Sequence, residues 1–219
     1  MTLTPSPLTI RMRRFFPLAF LVFAACSGDQ TPAIVKAETP VPDTTTAQSA
    51  ADLLQAEGFE LFRDVDIQLS AFDHAGTSAD PIPIDVDVLG AWIFDEEKTT
   101  AFPSFVQSLH GRKVFMKGFM LPDVDFEHIT QFHLVRSLWG CCFGAPPRVN
   151  ELIRVTAPDP GGIDYSYNTL EVVGTLEVVF EMEDGIIEDL YRLKAESITV
   201  LDEFDDPEAP TGFDPAAAF

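Results

Sequence analysis

Five apolar-rich runs follow one another between Val114 and Leu201, each closed by a turn signal and none carrying a helical period. Val114–Leu121 stops at Pro122, Ile129–Leu138 runs into Gly140-Cys141-Cys142, and Leu152–Ala157 ends at Pro158-Asp159-Pro160-Gly161-Gly162. Leu170–Phe180 and Ile186–Leu201 flank Glu183-Asp184-Gly185, an Asp-Gly hairpin signal between two runs rich in branched residues. Gly174 inside the fourth run marks a bulge or a barrel bend. Closely spaced strands leave reactive edges unless the sheet closes on itself. The expected fold is therefore mostly β: a small five-stranded OB-like barrel over residues 111–202, with a two-sheet β-sandwich as the alternative.

Ahead of the barrel, residues 51–110 read as a short α/β extension. Ser49 with Asp52 three positions on suits the start of a helix, Ala50–Glu57, and Gly58 ends it. Pro81 to Val88 alternates apolar and polar residues, which predicts a strand whose two prolines confine it to an edge. Pro103 to Leu109, with Gly111 just beyond, has the ends of a short helix. Beyond Asp202, residues 203–219 are acidic with Pro and Ala, and this composition predicts a disordered tail.

The N-terminus is an address. Met12-Arg13-Arg14 precedes an apolar run from Phe15 to Ala25, which ends in Ala24-Ala25-Cys26. That run is well short of the roughly 20 residues of a membrane span, and its basic start and small-residue end are those of an export signal. Small-small-Cys resembles the bacterial lipobox, so residues 1–25 are expected to be a lipoprotein signal peptide and Cys26 the lipidated mature terminus. Ser27 after it points to the outer membrane. Residues 26–50, rich in Thr, Ala, Pro and Ser, read as a disordered tether of roughly 25–30 Å mean span.

Charge narrows the partners. All 35 acidic residues follow Cys26 and three of the 14 basic ones precede it, so 11 cations face 35 anions in the mature part. Such a surface repels nucleic acid and anionic headgroups. The repeats Asp64-Val65-Asp66, Asp85-Val86-Asp87 and Asp123-Val124-Asp125 do not continue into a calcium loop.

Chemistry, if any, belongs to Gly140-Cys141-Cys142-Phe143-Gly144-Ala145-Pro146-Pro147, expected on a loop after the second barrel strand. Three readings compete. The thiols form a bridge that is strained, because neighbouring Cα atoms lie about 3.8 Å apart against a usual disulfide range of about 4.4–6.8 Å, and that is therefore easily reduced, as a redox switch rather than a staple is. Or the pair binds zinc or copper together with His133, eight residues before Cys141, with His128 and His110 as additional candidate ligands. Or both thiols pack a tight turn against Trp139 and Phe143. Two exposed thiols do not persist in an oxidising compartment, which favours burial, bridging or metal. A Cys nucleophile with His133 as base lacks an orienting third group. Arg148, Asn150 and Arg154 either line a pocket beside the turn or serve it structurally, Asn150 as a cap and the arginines in ion pairs.

The order Gly111-Arg112-Lys113-Val114, Gly118-Phe119-Met120-Leu121-Pro122, Phe132-His133-Leu134-Val135-Arg136, Cys141-Cys142-Phe143-Gly144-Ala145-Pro146-Pro147, then Val173-Gly174-Thr175-Leu176 and Leu190-Tyr191-Arg192-Leu193-Lys194-Ala195, resembles an uncharacterised family of bacterial periplasmic proteins and lipoproteins. The resemblance covers about residues 85–201. It implies no established activity. Many relatives have Cys-hydrophobic-His where Cys142-Phe143-Gly144 stands, so this chain lacks the imidazole that would accompany the thiol.

These readings lead to one expectation: a lipid-anchored protein on the periplasmic face of the bacterial envelope, serving as a non-catalytic binding module. No catalytic residue and no cofactor are expected; the membrane, through the lipid, and a protein are the expected partners. The alternative is a metal-handling (Zn or Cu) or thiol-redox accessory role through Cys141, Cys142 and His133, with Arg148 and Asn150 beside the site.

Overall fold

Turn residues and apolar periods divide the chain much as expected. The computed structural model describes residues 50–62, 73–99, 101–183 and 186–217. The expectations for the signal peptide, Cys26 and the tether lie outside these residues, as does the Asp184-Gly185 turn. In chain order the elements are α1 (Ala50–Ala56), β1 (Ile82–Pro83), α2 (Val86–Leu89), α3 (Ser104–Ser108), β2 (Lys113–Leu121), β3 (Gln131–Val135), α4 (Leu138–Phe143), a 3-10 turn at Val149–Glu151, β4 (Ile153–Thr156), β5 (Leu170–Glu183), β6 (Ile186–Val200) and a last 3-10 turn at Pro215–Ala217.

The sheet closes, and the sandwich alternative falls away. Strand β2 pairs with β3 on one edge and β5 on the other, β3 pairs with β4, β4 runs parallel to β6, and β6 returns antiparallel to β5. This makes a closed five-stranded mixed barrel with one extra strand. Because β3 covers only Phe119–Leu121 of β2, the first half of that edge is open, and β1 fills it in parallel through Ile82↔Val114 and Pro83↔Phe115. The β5/β6 register slips between Val173 and Gly174, where sequence placed the bulge. A Cβ on Gly174 would meet the Lys194 carbonyl and lie 2.9 Å from Ala195 Cα.

One core serves both extension and barrel. Trp92, fully buried, lies in the same cluster as Met116, Phe132, Val155, Leu176 and Tyr191. Its indole N–H donates to the Tyr191 hydroxyl at 3.3 Å, which itself donates to the Leu89 carbonyl at 3.1 Å. Phe59, Phe94 and Phe102 meet the indole edge-on at 5.5–5.9 Å, an arrangement that suits the ring quadrupoles.

Three elements differ from expectation. Of the strand expected over Pro81–Val88, only Ile82–Pro83 pairs. The prolines bring no N–H, and Val86, Val88 and Leu89 turn inward together as a helical turn closed by the Gly90 N–H on the Val86 carbonyl. The Ile129–Leu138 run keeps its ladder over Gln131–Val135 alone, Ser137 leaving to start α4. Residues 203–217 are packed rather than disordered: Phe204 meets the Phe119 ring at 5.2 Å, and Asp206 is buried. Composition misses this because two aromatic rings and one carboxylate suffice to dock an otherwise polar segment.

Candidate functional site

The paired cysteines do not sit on a loop. They occupy α4, whose start is set by Ser137: extended backbone with φ −150° and a hydroxyl oxygen that accepts the Gly140 N–H at 2.7 Å. Helical backbone from Leu138 follows directly from that cap. The C-terminal segment completes it. Asp206 accepts the Ser137 hydroxyl at 2.7 Å and the Trp139 N–H at 2.9 Å. Arg136 bridges this strap to the extension, donating to Asp87 at 2.6 Å and to Glu208.

Around the thiols the surface is aromatic. Trp139 stacks on Phe143 at 4.4 Å and meets Phe213 of the strap at 4.8 Å, while Phe213 contacts Phe204 at 5.7 Å. Phe143 remains 57% exposed. Cys142 is exposed and Cys141 half-buried, both as free thiols. Burial pushes the Cys141 thiol pKa up, and the neighbouring Cys142 adds to that, so Cys141 is the opposite of an activated nucleophile. The cavity beside Cys141, with Arg136, Glu151 and Glu208 on its wall, measures only about 50 Å³. A drug-sized ligand needs roughly 300 Å³ or more. A larger cleft of about 530 Å³, lined by Phe59, Ile93, Phe102, Glu57, Asp95 and Lys98, includes neither cysteine.

His133 is drawn elsewhere. Its Nδ1 lies 3.0 Å from Asp123 and its Nε2 3.6 Å from Asp189. Arg154, the register partner of His133, donates to both oxygens of Asp189 at 3.0 and 2.8 Å and to Asp123 at 3.0 Å. Burial works against charge on Arg154, yet the Asp189 and then the Asp123 carboxylates hold its pKa above the ordinary value. With both ring nitrogens facing carboxylates, His133 is not a partner for the thiols. His110 accepts the Val178 N–H at 3.1 Å, and His128 stands on a left-handed residue, φ 55°, whose N–H donates to Asp164. Among the described residues no three His, Cys, Asp or Glu side chains are grouped to hold a metal ion. The set Cys141, Cys142 and His133 therefore does not fit a shared zinc or copper.

Arg148 and Asn150 also turn from the cysteines, toward the extension. Arg148 donates its backbone N–H and its Nε to the Glu151 carboxylate at 3.0 and 3.2 Å, donates to the carbonyls of Gly90 and Trp92, and lies 3.4 Å over the Phe62 ring. Asn150 donates to the Trp92 carbonyl at 2.7 Å rather than capping its own turn, and its Oδ1 is buried with no partner among the described residues. These two residues clamp the Trp92 segment onto the barrel. Sequence reasoning missed the pairing of Asp206 with Ser137, 69 positions away, and of Asp189 and Asp123 with Arg154, 35 and 31 positions away.

A family model described as "protein of unknown function (DUF3299)" matches residues 94–200, which run from Phe94 through all five barrel strands. Similarity extends to the crystal structure of a DUF3299 family protein from Pseudomonas aeruginosa, at 23% identity and a TM-score of 0.36, covering 43% of this chain and 64% of that one. No curated protein matches. Residues 94–200 of this chain are thus similar to the DUF3299 family.

Proposed function

We propose that this chain is a non-catalytic binding module of the bacterial envelope, lipid-anchored at Cys26 on the periplasmic face of the outer membrane, and that α4 presents its contact surface to a protein partner. The observation that carries the binding face is the exposed Phe143 stacked on Trp139, beside exposed Cys142, Ala145 and Pro146. Exposed aromatic area rimmed by polar groups is what protein interfaces use at their centres. The absence of a roomy cavity at Cys141 and the raised thiol pKa favour contact over catalysis. The apolar run ending in Ala24-Ala25-Cys26 supports the anchor.

Two measurements test the reading. A clickable palmitate analogue fed to cells labels the chain and fails to label Cys26→Ser, which leaves the membrane fraction. A photo-crosslinking amino acid at position 143 yields a discrete protein adduct that the same group at Val200, also exposed, does not. No label on the wild type, or equal adducts at both positions, overturns the respective half. One observation favours the metal or thiol-redox alternative: both thiols are free and adjacent on the surface helix. Zinc or copper equimolar with the purified chain, and lost in Cys142→Ala, would establish it in place of the binding reading.

A further inference from the structure

The strap formed by residues 203–217 and the helix that carries the cysteines share their hydrogen bonds. Asp206 is satisfied by the first turn of α4, through the Ser137 hydroxyl and the Trp139 N–H. That turn is in turn held by the Gly140 N–H on Ser137 Oγ, and its continuation by the Cys141 N–H on the Ser137 carbonyl at 3.4 Å and the Gly144 N–H on the Gly140 carbonyl at 3.0 Å. We propose that Cys141 and Cys142 form a redox latch for this strap: joining the two sulfurs unwinds α4 and frees residues 203–217 from the barrel. This goes beyond the anchoring and binding reading and does not depend on it.

The physical conflict is local. On a helix of 3.6 residues per turn, successive side chains point about 100° apart. A disulfide needs Cβ atoms about 3.5–4.5 Å apart, and adjacent residues reach that only by leaving helical φ/ψ. Residues 141 and 142 are the fourth and fifth of a six-residue helix. A helix so short does not persist once its central bonds are lost, since nucleation is the costly step. Asp206 would then be a buried carboxylate left with the Glu208 N–H alone of its three donors, which costs more than releasing the strap to water. Phe213 leaves Trp139 with it.

The chemistry balances with an external disulfide as oxidant. Cys142, the exposed thiol, attacks as thiolate one sulfur of RS–SR and expels RS⁻. The Cys141 thiol loses its proton and attacks Cys142 Sγ, forming the Cys141–Cys142 bond and expelling the second RS⁻. Two protein thiols are oxidised, one external disulfide is reduced to two thiols, and their protons pass to the leaving groups.

The full chain carrying Cys26→Ser keeps two thiols, Cys141 and Cys142. After treatment with oxidised glutathione, peptide mapping should show a Cys141–Cys142 bridge with loss of two hydrogen atoms. A Glu-specific protease should then cut after Glu208 about tenfold faster, the effect of a tenfold shift in local opening, and dithiothreitol should reverse it. Asp206→Asn should cut fast with or without oxidant, and the double variant Cys141→Ser, Cys142→Ser should be insensitive to it. A bridge that forms with no change in cutting at Glu208 overturns the proposal, as do thiols that stay reduced or form only mixed or intermolecular disulfides under excess oxidant. The reversible oxidation of the otherwise unsubstituted pair decides the matter even if a variant fails to fold.

Discussion

Asp206 accepts the Ser137 hydroxyl at 2.7 Å, joining the C-terminal segment to the cap of α4 across 69 positions of chain. Because the same carboxylate also takes the Trp139 N–H, one buried group holds both the strap and the helix that displays Cys141 and Cys142. Asp206→Ala removes the acceptor for two donors, and leaving buried donors unsatisfied costs about 1–3 kcal/mol. Urea unfolding followed by tryptophan emission in a Trp92→Phe background, which leaves Trp139 as the one indole, should show a lower midpoint and a more red-shifted native spectrum than the same background with Asp206. An unchanged spectrum would mean the strap is held by its rings alone.

Asp189, with only 2% of its side chain exposed, is the hub of the Arg154, Arg192 and His133 group that joins β3, β4 and β6. Breaking a buried pair from one side is costly, so Asp189→Asn should destabilise by about 3 kcal/mol. The double variant Asp189→Leu, Arg154→Met should recover much of that loss, as apolar replacement of both partners often does. A double-mutant cycle in urea measures the coupling, and additive single effects would deny it.

At the bulge, Gly174→Ala places a methyl group against the Lys194 carbonyl, which belongs to rigid backbone. Overpacking of this kind costs about 1–3 kcal/mol. Calorimetry should report a Tm lower by several degrees, and an unchanged Tm would mean that the β5/β6 bulge tolerates the methyl group.

The two thiols differ in reactivity. Cys142 is exposed, and Cys141 is half-buried with its pKa raised by burial and then by Cys142. Iodoacetamide at neutral pH should therefore modify Cys142 first, as seen by peptide mapping over time. Prior modification of Cys141 would contradict the burial order.

Acid sensitivity has one named contributor. The Asp80 carboxylate is held below its ordinary value of 3.8, first by the Ala75 N–H and then by the His74 ring. A depressed carboxylate stabilises the fold above its unfolded pKa, and that contribution fades as pH falls through the lower folded value. Asp80→Asn should therefore lower the urea midpoint slightly near neutrality and converge with the wild type as pH falls below about 4.

What the sequence alone determined was whatever a few neighbouring residues can specify. The five barrel runs, the helix ending at Gly58, the turn residues around α3 and the bulge at Gly174 all follow from local periodicity and backbone preference, and each was legible before any coordinates. Tertiary structure decided the rest. The parallel β4/β6 pairing closes the barrel and chooses it over a sandwich, and strand pairing of that kind leaves no mark in either strand. It also drew His133 to Asp123 and Asp189 instead of to the cysteines, and Arg148 and Asn150 to Trp92. An acidic tail that composition reads as disordered docks because Ser137 and Trp139 offer donors that Asp206 satisfies. A hydrogen bond spanning that much chain is set by the fold's geometry, since a buried donor takes whichever acceptor the packing brings within reach.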